Sequence, residues 1–129
     1  MKLLLDTHVF LWMHGDPDRL SARARELLID ADAELHLSVV VAWELGIKLA
    51  RERLTLPEPL EEYVMSRAQR ARMSLLPIDL VHVLEAVALP PHHGDPFDRM
   101  LVAQARAEDL TLLTANPWIA RYDVEIVRA

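Results

Sequence analysis

Leu3-Leu4-Leu5-Asp6-Thr7-His8 stands near the start of the chain, and the abrupt end of its apolar run at Asp6 governs how the rest is read. Three successive leucines ahead of a carboxylate have the pattern of a strand buried on both faces, as a helix-covered parallel sheet requires. The pattern returns in Leu37-Ser38-Val39-Val40-Val41, which leads to Glu44, and in Leu112-Leu113-Thr114, which leads to Asn116. Asp98 opens a further apolar run, Met100-Leu101-Val102-Ala103. In open α/β sheets, ligands bind beyond the carboxyl ends of the strands. If Asp6, Glu44, Asp98 and Asn116 converge there, they make a cluster of hard oxygen donors suited to Mg²⁺ or Mn²⁺. Such a cluster points to metal-assisted phosphodiester chemistry.

Strands and helices alternate along the chain. Leu3 to Leu5 reads as a first strand, and Ser21 caps a helix carrying Ala24, Leu27, Leu28 and Ala31 at helical spacing. Leu35 to Val40 reads as a second strand, and from Val41 the period becomes helical, with Trp43, Ile47, Ala50 and Leu54 on one stripe. A turn at Leu56-Pro57-Glu58-Pro59 precedes a helix from Leu60 to Met73, and Leu75 to Ile78 is a brief extended piece. Asp79 is placed to cap a helix from Leu80 to Leu89, and Pro90-Pro91-His92-His93-Gly94 is a loop. Asp95-Pro96 then opens a helix with proline at its first position, and Leu110 to Thr114 and Val124 to Val127 are the last strands. The expected architecture is α/β, a twisted parallel sheet flanked by helices, in one domain spanning residues 1–129.

The chain has 129 residues, 52% of them hydrophobic and 26% charged, which excludes a disordered polypeptide. The leucine run is too short for a signal-peptide core or a membrane span. With no cysteine there is neither a disulfide framework nor a thiolate metal site, so the expected location is cytoplasmic. A net charge of −6 opposes simple non-specific binding of nucleic acid, which draws on Lys and Arg. Handling phosphates would need a local device, and a bound divalent cation is one. Arginines cluster at 19, 23 and 25, at 51 and 53, and at 67, 70 and 72, a pattern that solvated helix faces also produce.

Each acidic candidate has a second reading. Asp6 would be costly to bury unless paired or on a metal, but Asp6-Thr7 is equally an Asx cap for a following helix. Glu44 has apolar neighbours on both sides, yet Lys48, one turn on, would make an ordinary helix-face ion pair. Asp95 is a natural N-cap, and Asp98 in the first turn would favourably meet the helix dipole. The six histidines show no zinc-ligand spacing, and His92 and His93 read more readily as loop decoration than as lining for the mouth of the site. No Gly-x-Ser-x-Gly elbow is present, and three glycines make no phosphate-cradling loop.

Four stretches together resemble a PIN-domain ribonuclease of the VapC toxin type. They are Leu3 to Trp12, Ser38 to Lys48, His93-Gly94-Asp95-Pro96-Phe97-Asp98-Arg99 on to Ala105, and Leu110 to Asn116. The resemblance implies a PIN-like fold with Asp6, Glu44 and Asp98 as the core acidic residues around Mg²⁺ or Mn²⁺. It assigns Asp95 as an accessory acid and Thr7 and Thr114 as supporting hydroxyls. It implies an RNA substrate, a cognate antitoxin protein and a homodimer. In this reading the ion, held by Asp6 and Asp98 with Glu44 as ligand or water-orienting group, polarises the phosphodiester and acidifies water. Arg99, Lys48 or the Arg67 to Arg72 face would hold flanking phosphates. Two positions depart from the pattern: Asn116 replaces a fourth carboxylate, and Val41 replaces a serine.

A haloacid-dehalogenase-like phosphatase also opens with an apolar strand and an aspartate, but it needs a second aspartate where His8 stands. The alternative outside enzymology is a PIN-like RNA- or protein-binding module with a weakened metal site, marked by Asn116.

Overall fold

The structure, a computed structural model, describes residues 1–129. The chain runs β1 (Lys2–Leu5), α1 (Thr7–Gly15), α2 (Ala22–Ile29), β2 (Glu34–Ser38), α3 (Val39–Ala50) and α4 (Leu60–Arg70). It continues through β3 (Ser74–Leu76), α5 (Leu80–Ala88), α6 (Pro96–Ala107), β4 (Thr111–Thr114) and β5 (Ile126–Arg128). Short 3₁₀ turns follow α1 and β4.

All five strands are parallel, in the order β3-β2-β1-β4-β5. The leucine strand is therefore central, with Leu4 beside His36 of β2 on one side and Leu112 of β4 on the other. Successive strand residues face opposite sides of a sheet. Leu3, Leu4 and Leu5 are all fully buried, so both faces of the central strand are covered. Parallel order brings the carboxyl ends of β1, β2 and β4 to one edge, where Asp6, Ser38 and Thr114 stand.

Several boundaries differ from the sequence reading for local reasons. The second strand stops at Ser38, not Val40, because the Ser38 hydroxyl accepts the Val40 N–H and starts α3 two residues early. The buried face of α3 is Val40, Val41, Glu44 and Leu45. The expected stripe through Trp43 is the outer one: Trp43 is 60% exposed and meets Phe97 edge to face, and Leu54 lies beyond the helix. Ser21 caps α2 as expected, accepting the Ala24 N–H, but the helix ends at Ile29 and leaves Ala31 outside. The last strand is shifted to Ile126–Arg128.

Gly46 sits inside α3, where glycine costs about 1 kcal/mol relative to alanine. A Cβ there would meet the end of the flexible Leu60 side chain at 3.3 Å. Gly46→Ala is expected to stabilise the protein by less than about 1 kcal/mol, most of the helix gain surviving a small shift of Leu60. Urea unfolding of both proteins measures it.

Candidate metal centre

Asp6 closes the central strand, its N–H donating to the Leu113 carbonyl at 3.1 Å. One carboxylate oxygen accepts the Thr7 N–H at 2.6 Å and caps α1; the other accepts the Thr114 hydroxyl at 2.6 Å. The Asx cap and the pocket carboxylate are thus one group. Burial pushes the Asp6 carboxyl above its ordinary range, and the bonds from Thr114 and Thr7 oppose that rise. The direction of the Thr114 hydroxyl is determined, since it accepts the Asn116 N–H at 3.0 Å and so gives its proton to Asp6.

Glu44, reached by the early start of α3, is 6% exposed. Its Oε1 accepts the Thr7 hydroxyl at 2.7 Å, and its Oε2 pairs with Lys48 Nζ at 2.8 Å. The Lys48 ion pair anticipated from the sequence is present, and it lies inside the pocket wall. Thr7 ties Asp6 and Glu44 together through its N–H and its hydroxyl.

Asp98 is the third residue of α6 and is buried. Its carboxyl is pushed up to about 6, chiefly by burial and next by the charges of Asp95 and Asp6, with a bond to His93 pulling the other way and Glu44 adding to the rise. Asp95 caps α6, accepting the N–H groups of Phe97 and Asp98 at 2.9 and 3.1 Å. Asn116 donates through Nδ2 to Asp98 Oδ2 at 2.8 Å and accepts the Trp118 N–H on its amide oxygen at 3.0 Å. Both ends of that amide are therefore used inside the protein, and toward Asp98 the residue is a hydrogen-bond donor.

One hollow is walled by Glu44, Asp95, Asp98 and Asn116 with Lys48 and Arg53, and an adjoining one by Asp6, His8 and Asn116. The structure thus gathers every acidic residue singled out from the sequence at one edge of the sheet. The donors are hard oxygens, their number suits a divalent cation, and the burial and like charge that raise Asp98 are what a cation would relieve. The residues fit such an ion. A tighter group, Asp79, His82 and Glu108, has ligand atoms within 4.8 Å of one another. It lies elsewhere and is a fastening: His82 is fully buried, Nδ1 accepting the Asp79 N–H and Nε2 facing Glu108 Oε1 at 2.9 Å, so it ties the start of α5 to the end of α6.

Three of the basic residues suggested from the sequence have partners inside the protein. Arg99 spends its guanidinium on the carbonyls of Ala86, Leu89 and Pro90 and on the Tyr122 hydroxyl. Arg67 pairs with Glu58 and lies 4.1 Å over the Tyr63 ring, and Lys48 is held by Glu44. The exposed cations beside the first hollow are Arg51 and Arg53, and exposed Arg19 lines the adjoining one. His93, read from sequence as loop decoration, instead bonds Asp98 Oδ2 at 3.2 Å. Tyr122 and Trp118, which flank His93, carry no local signal of a site.

A central strand ending in a capped carboxylate, an acidic helix behind the next strand and an acidic helix start together form an acidic site at one edge of a parallel α/β sheet. The PIN domain family model matches residues 3–125, and this chain belongs to that family. It is 34% identical over 115 residues to Ribonuclease VapC22 of Mycobacterium tuberculosis, covering 88% of this chain and 86% of the relative. The fold is similar to the crystal structure of VapBC2 from Rickettsia felis bound to a promoter DNA fragment, with TM-score 0.71, 17% identity, and 99% of this chain and 98% of that chain covered. It is also similar to VapBC-5 from Mycobacterium tuberculosis, with TM-score 0.66, 23% identity and the same two coverages. No helix is long and apolar enough to cross a membrane.

Proposed function

We propose that this chain is a divalent-metal-dependent endoribonuclease, the toxin of a toxin–antitoxin pair, working in the cytoplasm. The observation that carries this reading is the convergence of Asp6, Glu44 and Asp98, all buried, on two adjoining hollows that share His8 and Asn116. Asp6 and Asp98 would hold Mg²⁺ or Mn²⁺, with Glu44 as a third ligand or as the group that orients water, and Asp95 as an outer acid. The ion, when bound, supplies Lewis-acid polarisation of a phosphodiester and lowers the pKa of bound water. The chain's own part is orientation: Thr7 and Thr114 hold the carboxylates of Asp6 and Glu44, and Asn116 holds Asp98. Magnesium-dependent cleavage of RNA by the purified protein, lost in chelator and in Asp6→Asn, tests the reading. An active Asp6→Asn protein, with contaminating nuclease excluded, removes it.

Arg51 and Arg53 are the cations placed to meet flanking phosphates. Replacing both with alanine is expected to raise KM for RNA with little change in kcat. The salt dependence of binding should shallow by about 0.7 per lost phosphate contact, as for single strands. Filter binding across a salt series measures the slope, and an unchanged slope removes these two residues.

The partner surfaces follow from apolar exposure. On α5, Leu80, Leu84 and Val87 form one exposed stripe, 71%, 60% and 76% accessible, a face that suits self-pairing of two copies. The protein is expected to sediment as a homodimer at micromolar concentration and the Leu84→Glu/Val87→Glu variant as a monomer. A wild-type monomer contradicts the proposal. The antitoxin, a small protein carried over from the relatives, is expected to cover the acidic pocket, so the bound complex should not cut RNA.

A further inference from the structure

The loop ahead of α6 carries a polar chain whose direction can be worked out atom by atom. Arg99 Nη1 donates to the Tyr122 hydroxyl oxygen at 3.0 Å, because a guanidinium has donors only. Tyr122, 5% exposed, must then send its single proton onward, and the atom in reach is His93 Nδ1 at 2.7 Å. Nδ1 is thereby an acceptor, which leaves the proton of the neutral ring on Nε2. Nε2 points at Asp98 Oδ2, 3.2 Å away, with both side chains about one-tenth exposed. The ring itself is clamped, lying parallel to Trp118 at an interplanar angle of 2° and against Tyr122.

Asn116 donates to the same oxygen at 2.8 Å. Oδ2 of Asp98 therefore carries two hydrogen bonds, and Oδ1 is the oxygen left over for other work.

We infer that His93 is a positioning residue for Asp98: Arg99 and Tyr122 set its Nε2–H tautomer, and that N–H holds the carboxylate with Oδ1 turned to the pocket. This rests on the reading of Asp98 as a ligand of the divalent ion. Groups that orient a ligand in this way typically change metal affinity 10- to 100-fold when removed. Nothing in the immediate sequence marks the relay, since Tyr122 lies 29 positions from His93.

Two measurements test it. In the metal-free protein at pH 8, long-range proton–nitrogen correlation should show His93 as the Nε2–H tautomer, and Tyr122→Phe should abolish that preference while the protein stays folded. A wild-type His93 protonated on Nδ1 overturns the inference. Calorimetric titration with Mn²⁺ alone should give about tenfold weaker binding for His93→Leu. His93→Gln, which keeps an N–H donor, should stay within about threefold of wild type if hydrogen bonding is what the ring supplies. Folded His93→Leu protein with wild-type Mn²⁺ affinity overturns the inference, as does a His93→Gln variant no better than His93→Leu. Failure of the metal reading itself would look different: Asp98→Asn would then bind Mn²⁺ as well as wild type does.

Discussion

Replacing Asp98 with asparagine is expected to abolish RNA cleavage and to make the metal-free protein more stable at neutral pH. The two effects have one origin. The Asp98 carboxyl titrates at about 6 in the folded protein, against 3.8 ordinarily, because it is buried beside Asp95 and Asp6. Between those two values the folded state binds more protons than the unfolded one, so stability falls as pH rises from about 4 to about 6. Below both values the group is neutral in both states and costs nothing. Above both it is ionised in both, and the penalty is fully present. At pH 7 that penalty is about 3 kcal/mol at most, shared with the neighbouring acids that help to raise it. The asparagine side chain would keep an oxygen for the His93 and Asn116 donors while removing the charge. Urea unfolding of metal-free wild type from pH 4 to 8 should show the loss of stability through pH 6, and Asp98→Asn should show a flatter profile. A divalent cation should stabilise wild type and leave the variant unmoved. A variant less stable than wild type at pH 7, or one that still cuts RNA, would refute the account.

Arg99→Ala is expected to be the most destabilising single change near the site, although the residue adjoins the pocket aspartate Asp98 and carries a charge. Its guanidinium bonds the carbonyls of Ala86, Leu89 and Pro90, where α5 ends and the His92-His93 loop begins, and bonds Tyr122 as well. The carbonyls of Ala86 and Pro90 also accept the backbone N–H groups of Leu89 and His92, and Arg99 adds a charged donor to each. Hydrogen bonds from a charged donor contribute about 1.5–3 kcal/mol, so truncation should cost about 3 kcal/mol in total. For a chain of this size that lowers Tm by roughly 10 °C. Lysine carries one compact charge and lacks the planar fork, so Arg99→Lys should recover less than half of the loss. Thermal unfolding of the three proteins decides it. An Arg99→Ala protein of wild-type stability with weakened RNA binding would return Arg99 to the phosphate-holding role suggested by its sequence neighbours.

His93 and Arg99 show where reading the sequence stops. Each reads as a surface residue because a His-His-Gly loop and an Asp-Arg pair look solvated in one dimension. Their partners Tyr122, Asp98 and Leu89 come from separate elements, and no local pattern announces them. The outer stripe of α3 misleads for a related reason: Trp43 and Ile47 match a helical period, but which side of a helix faces the sheet depends on how the helix is docked. Asn116 reads in the sequence as a carbonyl donor replacing a carboxylate; in the fold its nitrogen faces Asp98 and its oxygen serves Trp118.

By itself the sequence determined the parallel sheet, the burial of Leu3-Leu4-Leu5 on both faces, the caps at Ser21 and Asp95, and the identity of the acidic residues at the strand ends. These follow from rules that act over a few residues: burial on both faces, helical period, and a side chain bonding a backbone N–H two or three positions on. Only the tertiary structure decided that Thr7 joins Asp6 to Glu44, that Thr114 and Asn116 hold Asp6 and Asp98, that His93 is clamped between Tyr122 and Trp118, and that Arg99 is structural. Those contacts join residues brought together by the crossing of separate elements. Their strength depends on burial and on which donors are already spent, quantities that exist only once the chain has folded.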